Sequence, residues 1–186
     1  MKKIILGITG ASGSLYAVQF LKLMQQAKVE VHGIISDAGR LVLQHELGLT
    51  PDDLLQYGVR WYEAGDFAAP MSSGSSRYEA MVVLPCTMGS LGAIANGIAG
   101  NLVHRAADVM LKEKKPLLLA VRETPLNRVH LENMMKVHDA GAVVCPPMPS
   151  FYHHPESLEE MAYFFAGRMA DIIGIEVGGL KRWQGR

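Results

Sequence analysis

Short unbroken apolar runs alternate along this chain with longer stretches whose apolar residues recur every three or four positions. The runs at residues 4–9, 29–36, 80–86, 116–121 and 142–145 are strand-length, and apart from Glu30 and His32 in the second they lack polar alternation. That is the pattern of strands covered on both faces in a parallel sheet. Between them, residues 14–26, 38–46, 88–98, 102–112 and 128–138 carry a helical period. A last helix is expected after Ser157, where Ser157-Leu158-Glu159-Glu160 has capping-box spacing. The alternation predicts an α/β fold: a three-layer α/β/α Rossmann-like domain with a doubly wound parallel sheet, spanning residues 1–186 as one unit. In such sheets ligands bind outside the carboxyl ends of the strands, near the point where strand order reverses. Residues 68–76 (AAPMSSGSS) look too polar and too rich in Gly and Ser to pack as an element. They read equally as a surface loop or as a mobile cover for a site.

Composition narrows the function classes. A length of 186 residues suits one domain, and 49% apolar with 19% charged residues is the balance of a folded globular chain. Eighteen basic residues offset eighteen acidic ones, so no net field favours nucleic acid or an anionic membrane. Any bound anion therefore needs a local cluster. Cys86 and Cys145 form no CxxC pair and read as small buried hydrophobes in a reducing setting. The apolar run after Met1-Lys2-Lys3 breaks at Gly7, and no cleavage site follows. No stretch has the length to span a bilayer. A soluble cytoplasmic protein is expected.

The first strand runs into Gly7-Ile8-Thr9-Gly10-Ala11-Ser12-Gly13, which opens the first helix. In that context glycines let the backbone approach a phosphate or a flavin, and the helix start favours negative charge. A ligand-free tight turn is the plainer alternative. A dinucleotide is another, because the same glycine spacing occurs in short-chain dehydrogenases and Asp37 could bind a ribose. That chemistry needs Tyr-x-x-x-Lys, and none of the six tyrosines has a lysine four positions on.

The second half concentrates cations. Arg105 and Lys112 are seven apart on one predicted helix, with Asp108 between them, and Arg122-Glu123 follows a strand at its carboxyl end. Arg168 falls within the apolar stripe Met161, Phe165, Ile172. A guanidinium facing a core needs a partner, either a structural ion pair or a bound anion. Several such groups aimed at one cleft would favour a phosphate. No metal is expected: there is no HExxH, and His153 and His154 are adjacent. Asp52-Asp53 is followed by Leu54-Leu55-Gln56, so the aspartate-rich magnesium motif of diphosphate prenyltransferases is absent and a helix start is the better reading.

Several motifs in order resemble one family. They are Gly10-Ala11-Ser12-Gly13, Pro85-Cys86-Thr87-Met88, Arg105-Ala106-Ala107-Asp108, Leu111-Lys112-Glu113, Arg122-Glu123-Thr124-Pro125 and His130-Leu131-Glu132-Asn133-Met134. Pro146-Pro147-Met148-Pro149-Ser150-Phe151-Tyr152 and Arg182-Trp183 extend the match to nearly the whole chain. Together they look like the UbiX-type flavin prenyltransferases. The resemblance implies a metal-independent enzyme that joins the dimethylallyl group of dimethylallyl phosphate to N5 and C6 of reduced FMN. It implies flavin contacts from Gly10, Ala11, Ser12, Ser36 and Arg122, and from the turn Thr87, Met88, Gly89, Ser90. It implies phosphate contacts from Lys112, Arg122, Glu123, Tyr152 and Arg168, with Arg105 nearby. Ser12, Glu46, Lys112 and Glu123 would be catalytic, Ser12 and Glu123 in proton transfers. Phe67 stands where some members carry tryptophan and offers a weaker π face to an allylic cation.

The resemblance further implies a homo-oligomer, trimers assembled into dodecamers. The product, prenylated FMN, would go to a UbiD-type decarboxylase in ubiquinone biosynthesis or aromatic acid decarboxylation. Two other functions stay open on this resemblance. One is an FMN-dependent cysteine decarboxylase, whose histidine and Asn-bearing methionine motif are not found in order here. The other is a non-catalytic flavin carrier subunit of an aromatic acid decarboxylase.

Overall fold

A computed structural model describes residues 2–180, so the Arg182-Trp183 motif lies outside the described residues. Six strands among these residues form one sheet: β1 (Lys3–Ile8), β2 (Glu30–Ile35), β3 (Val59–Glu63), β4 (Ala80–Cys86), β5 (Leu117–Val121) and β6 (Val143–Val144). All pairings are parallel, and the spatial order is β3-β2-β1-β4-β5-β6. Strand order therefore reverses between β1 and β4, which opens a crevice at their carboxyl ends. The doubly wound parallel fold expected from the alternation is the one observed.

Among the described residues six helices cover the sheet: α1 (Ser14–Gln26), α2 (Asp37–Leu47), α3 (Met88–Ala95), α4 (Leu102–Lys112), α5 (Arg128–Asp139) and α6 (Leu158–Ile172). The apolar faces of α1 and α6 join Ile4, Leu6, Val82 and Leu118 in one core layer. Those of α3, α4 and α5 join Ile5, Met81, Val83 and Leu119 in the layer on the opposite face. Successive strand residues point to opposite faces, so a strand feeding both layers has no polar position to spare. The unbroken apolar runs follow from that.

One strand was missed, one expectation holds and one changes. β3 was not legible as a strand: it is an edge strand with one neighbour, and only Val59 of its five residues is fully buried. Its pattern carries no continuous apolar run. Asp52 and Asp53 do open a helical turn, Asp52–Tyr57, where Asp53 accepts from the Thr50 N–H at 2.7 Å. Residues 68–76 are not a plain polar loop. Pro70–Ser72 forms a 3₁₀ turn whose Met71 is wholly buried in the α4 layer. A single apolar anchor inside a polar string was enough to pack it.

Candidate active site

The carboxyl ends of β1, β2, β4 and β5 place most of the expected site residues on neighbouring loops. At the switch point the buried Thr9 ties the ends of β1 and β4 together. Its hydroxyl donates to the Pro85 carbonyl at 2.9 Å and accepts the Thr87 N–H at 2.9 Å. Thr9 was not singled out by sequence reasoning, although a buried hydroxyl inside the glycine turn is a signal that could have found it. Gly10 has a packing reason of its own. A Cβ there would overlap Ala38 at the start of α2, so the turn and α2 touch through backbone.

The start of α1 does attract negative charge, as expected of a helix N-terminus, but the charge is Glu46. Its carboxylate accepts the Ser14 N–H at 2.8 Å and the Gly13 N–H at 3.1 Å. Burial pulls the Glu46 carboxyl upward, yet hydrogen bonds from Ser12, Ser14 and Gly13 outweigh it and hold the group below the ordinary glutamate range. The exposed Ser12 hydroxyl is thus held against an ionised carboxylate. Two other helix starts remain open to an anion. Ser36 caps α2, accepting the Gly39 N–H at 3.1 Å, and Thr87 caps α3, accepting the Ser90 N–H at 3.1 Å. The first-turn N–H groups of such helices, Met88 and Gly89 on α3, have no partner inside the helix.

This crevice fits a flavin mononucleotide by its donor set. It has two capped helix starts with hydroxyls, and Gly89 leaves room for close approach because a Cβ there would meet only the Thr87 side chain at 3.9 Å. At the edge of the turn is His104, also missed by the sequence reading. Its Nε2 lies 3.2 Å from Ser90 Oγ, and burial pushes its imidazole below the ordinary histidine range.

The cations do not meet in one cleft of one chain. Arg122 and Glu123 are exposed at the carboxyl end of β5, where the Arg122 N–H donates to the Cys86 carbonyl at 3.0 Å. Lys112 ends α4 just before β5 begins, at the other end of the same strand. At about 3.3 Å per residue, a five-residue strand puts about 16 Å between them. Lys112 pairs with Glu113 at 2.6 Å, beneath Gly74 of the 68–76 segment. Arg105 binds the same segment through the Ser72 carbonyl at 3.1 Å and pairs with Asp108 at 2.9 Å.

Arg168 corrects the stripe reading, because it is exposed. The buried face of α6 is Ala162, Phe165, Ala166, Gly167, Met169 and Ala170. Small residues let α6 sit close against the neighbouring layer and rotate the larger Met161 and Ile172 to its margin. Arg168 lines a cavity of about 450 Å³ with Tyr152, Cys145 and Phe165, on the α6 side of the sheet. Lys112 belongs to the α4 side. Phe67, 48% exposed, precedes the 68–76 segment.

Comparison with known proteins agrees with this arrangement. The model of the Flavoprotein family matches residues 1–170. The flavin prenyltransferase UbiX of Methanothermobacter thermautotrophicus is 47% identical over 186 residues, covering 100% of this chain and 97% of that protein. AnUbiX (PadA1), solved in complex with FMN and dimethylallyl pyrophosphate, superposes with a TM-score of 0.96 at 38% identity, covering 100% of this chain and 98% of that one. A dodecameric FMN-dependent UbiX-like decarboxylase from Escherichia coli O157:H7 gives a TM-score of 0.94 at 38% identity, covering 98% of this chain and 100% of that one. A glycine turn and two capped helix starts, matched from end to end by such relatives, place the chain in the UbiX flavin prenyltransferase family.

Proposed function

We propose that this protein is a flavin prenyltransferase transferring the dimethylallyl group of dimethylallyl phosphate to FMN. The observation that carries the reading is the full-length match, at 47% identity, to a flavin prenyltransferase. The donor-lined crevice at the switch point supports it. The 186 residues act as one FMN-binding unit. When bound, reduced FMN supplies the N5 and C6 positions that receive the dimethylallyl group.

The protein's own groups have separable tasks. Ser36, Arg122 and the turn Thr87, Met88, Gly89, Ser90 hold the cofactor, with Gly10, Ala11 and Ser12 along its edge. Lys112, Arg122, Arg168 and the Tyr152 hydroxyl take the negative charge that gathers on the leaving phosphate as the allylic C–O bond breaks, with Arg105 close by. Phe67 presents a π face to the allylic cation. Ser12, oriented by the ionised Glu46, and Glu123 accept and return protons.

Lys112 and Arg122 sit at opposite ends of β5, so the clamp is completed between copies of this chain in a homo-oligomer. The dodecameric relative supports an assembly of that kind. Among the described residues no helix is long and apolar enough to cross a membrane, and a cytoplasmic location with delivery of the product to a UbiD-type decarboxylase fits this role.

The test is incubation of the purified protein with FMN, a reductant and dimethylallyl phosphate or its diphosphate. The expected result is flavin heavier by one dimethylallyl group. Unchanged flavin under all conditions would sink the reading in favour of a carrier subunit, and decarboxylation of a peptidyl cysteine would favour a cysteine decarboxylase.

A further inference from the structure

Tyr152 and Arg168 reach the leaving phosphate from different elements, and a grip with two arms works only if the distance between them is fixed. Arg168 is carried by α6, which Phe165, Ala166 and Met169 anchor in the core. Tyr152 lies on the short turn Phe151–His153. His154 closes that turn at a φ of 51°, its N–H donating to the Phe151 carbonyl at 2.9 Å. Tyr152 itself is 55% exposed. A side chain left in water samples several rotamers, and fixing one of them on binding costs affinity.

His153 links the two elements. Its ring centroid is 4.2 Å from that of Tyr152, with the planes tilted by 47°. It is 4.6 Å from that of Phe164, with the planes only 28° apart, the spacing at which stacked rings attract. Phe164 and Arg168 are four positions apart in α6, so they rise from one face of the helix a turn apart. Tyr152, His153, Phe164 and Arg168 all line the cavity of about 450 Å³. Contact therefore runs from the Tyr152 ring through His153 to the helix face that carries Arg168.

We propose that His153 is a positioning residue for the phosphate grip: stacked on Phe164, it holds the Tyr152 ring in a fixed place relative to Arg168, so that both arms are set before dimethylallyl phosphate arrives. The face of the imidazole does this, and its nitrogens are not required. The inference rests on the proposed role of Tyr152 and Arg168 as phosphate contacts.

The experiment measures kcat/KM for dimethylallyl phosphate with the full-length protein and reduced FMN, and separately FMN affinity by flavin fluorescence. His153→Ala should lower kcat/KM about three- to tenfold, the scale of one aromatic contact, and leave FMN affinity unchanged. His153→Phe keeps a stacking face without the nitrogens and should recover most of the loss. Tyr152→Phe removes the hydroxyl that the stack places, so adding His153→Ala to it should lower kcat/KM no further. A double variant that shows the full product of the two losses would overturn the inference. So would His153→Ala at wild-type kcat/KM beside an impaired Tyr152→Phe. A His153→Phe protein as poor as His153→Ala would put the ring nitrogens on the substrate, and a parallel loss of FMN affinity would mark a damaged fold; either overturns the positioning role. Wild-type kcat/KM in Tyr152→Phe would remove Tyr152 from the phosphate, and that reading would fall together with the inference. Should His153→Ala fail to fold, Phe164→Leu removes the other half of the stack. It must then show the same loss, and wild-type kcat/KM there overturns the proposal.

Discussion

His32, buried, and His104, half-buried, each lie beside a hydroxyl, but they sit toward opposite ends of the sheet and are treated differently. His32, early in β2, has Nε2 2.7 Å from Glu30 and Nδ1 2.8 Å from the Tyr78 hydroxyl, and its ring stacks on Tyr62. Lys3 lies over the Tyr78 ring, and burial pushes the Tyr78 phenol up so that it stays protonated. Every polar atom of the His32 ring is paired. At the carboxyl end, His104 keeps one nitrogen unpaired, and Ser12, Arg122 and Glu123 stand exposed. A closed network contributes stability and has nothing left to offer a ligand. A network one partner short, beside exposed polar groups, leaves hydrogen-bonding capacity for something outside the chain.

The largest expected effect tests whether the exposed cations belong with the open end. Arg168→Met and Lys112→Met should each lower turnover with dimethylallyl phosphate about 10²–10³-fold, the usual loss when a preorganised charge is removed from a leaving group. Folding should be nearly unaffected, since surface cations contribute little to stability. The double variant should lose less than the product of the two if both hold one phosphate. Near-normal turnover in Arg168→Met would make Arg168 structural and leave the clamp to Lys112, Arg122 and Tyr152.

A smaller effect, of opposite kind, is expected at the closed network. Tyr78→Phe leaves His32 Nδ1 without its partner and should cost about 1–3 kcal/mol in urea unfolding. FMN affinity and turnover should stay at wild-type levels. A Tyr78→Phe protein that is fully stable but binds FMN poorly would erase the distinction between the two ends.

The smallest effect concerns Glu46, which joins structure to site. Its carboxyl is held below the ordinary value of 4.5 in the folded protein. The stability it contributes is therefore present above that value and is lost as pH falls through the lower, folded-state value. Wild type should exceed Glu46→Gln in stability by about half a kcal/mol at neutral pH, the scale of a charge at a helix start. The gap should close as the pH drops below 4.5. A constant gap across that range would mean that shape, not charge, is what α1 requires.

The strands feeding both core layers were legible because nearly all of their positions are buried, and the helices because one face of each is. What escaped had a weaker local signature. β3 has a single neighbouring strand and buries little. The buried face of α6 is built largely of Ala and Gly, so the larger Met161 and Ile172 at its edge suggested the wrong stripe and drew Arg168 inward. Met71 packs a segment whose composition reads as loop.

By itself, then, the sequence determined the parallel α/β fold and the loops that lie at the carboxyl ends of the strands. Periodicity is a local property, and the succession of strand and helix dictates at which end of the sheet each loop emerges. Only the tertiary structure decided what each polar group meets. Glu46, not a ligand, occupies the start of α1. The ring of His104 reaches the cap of α3, and Lys112 and Arg122 are held apart by the length of β5. Hydrogen bonds and charge pairs act over a few ångströms between residues far apart in the chain, and no local pattern of hydrophobic and polar positions encodes those distances.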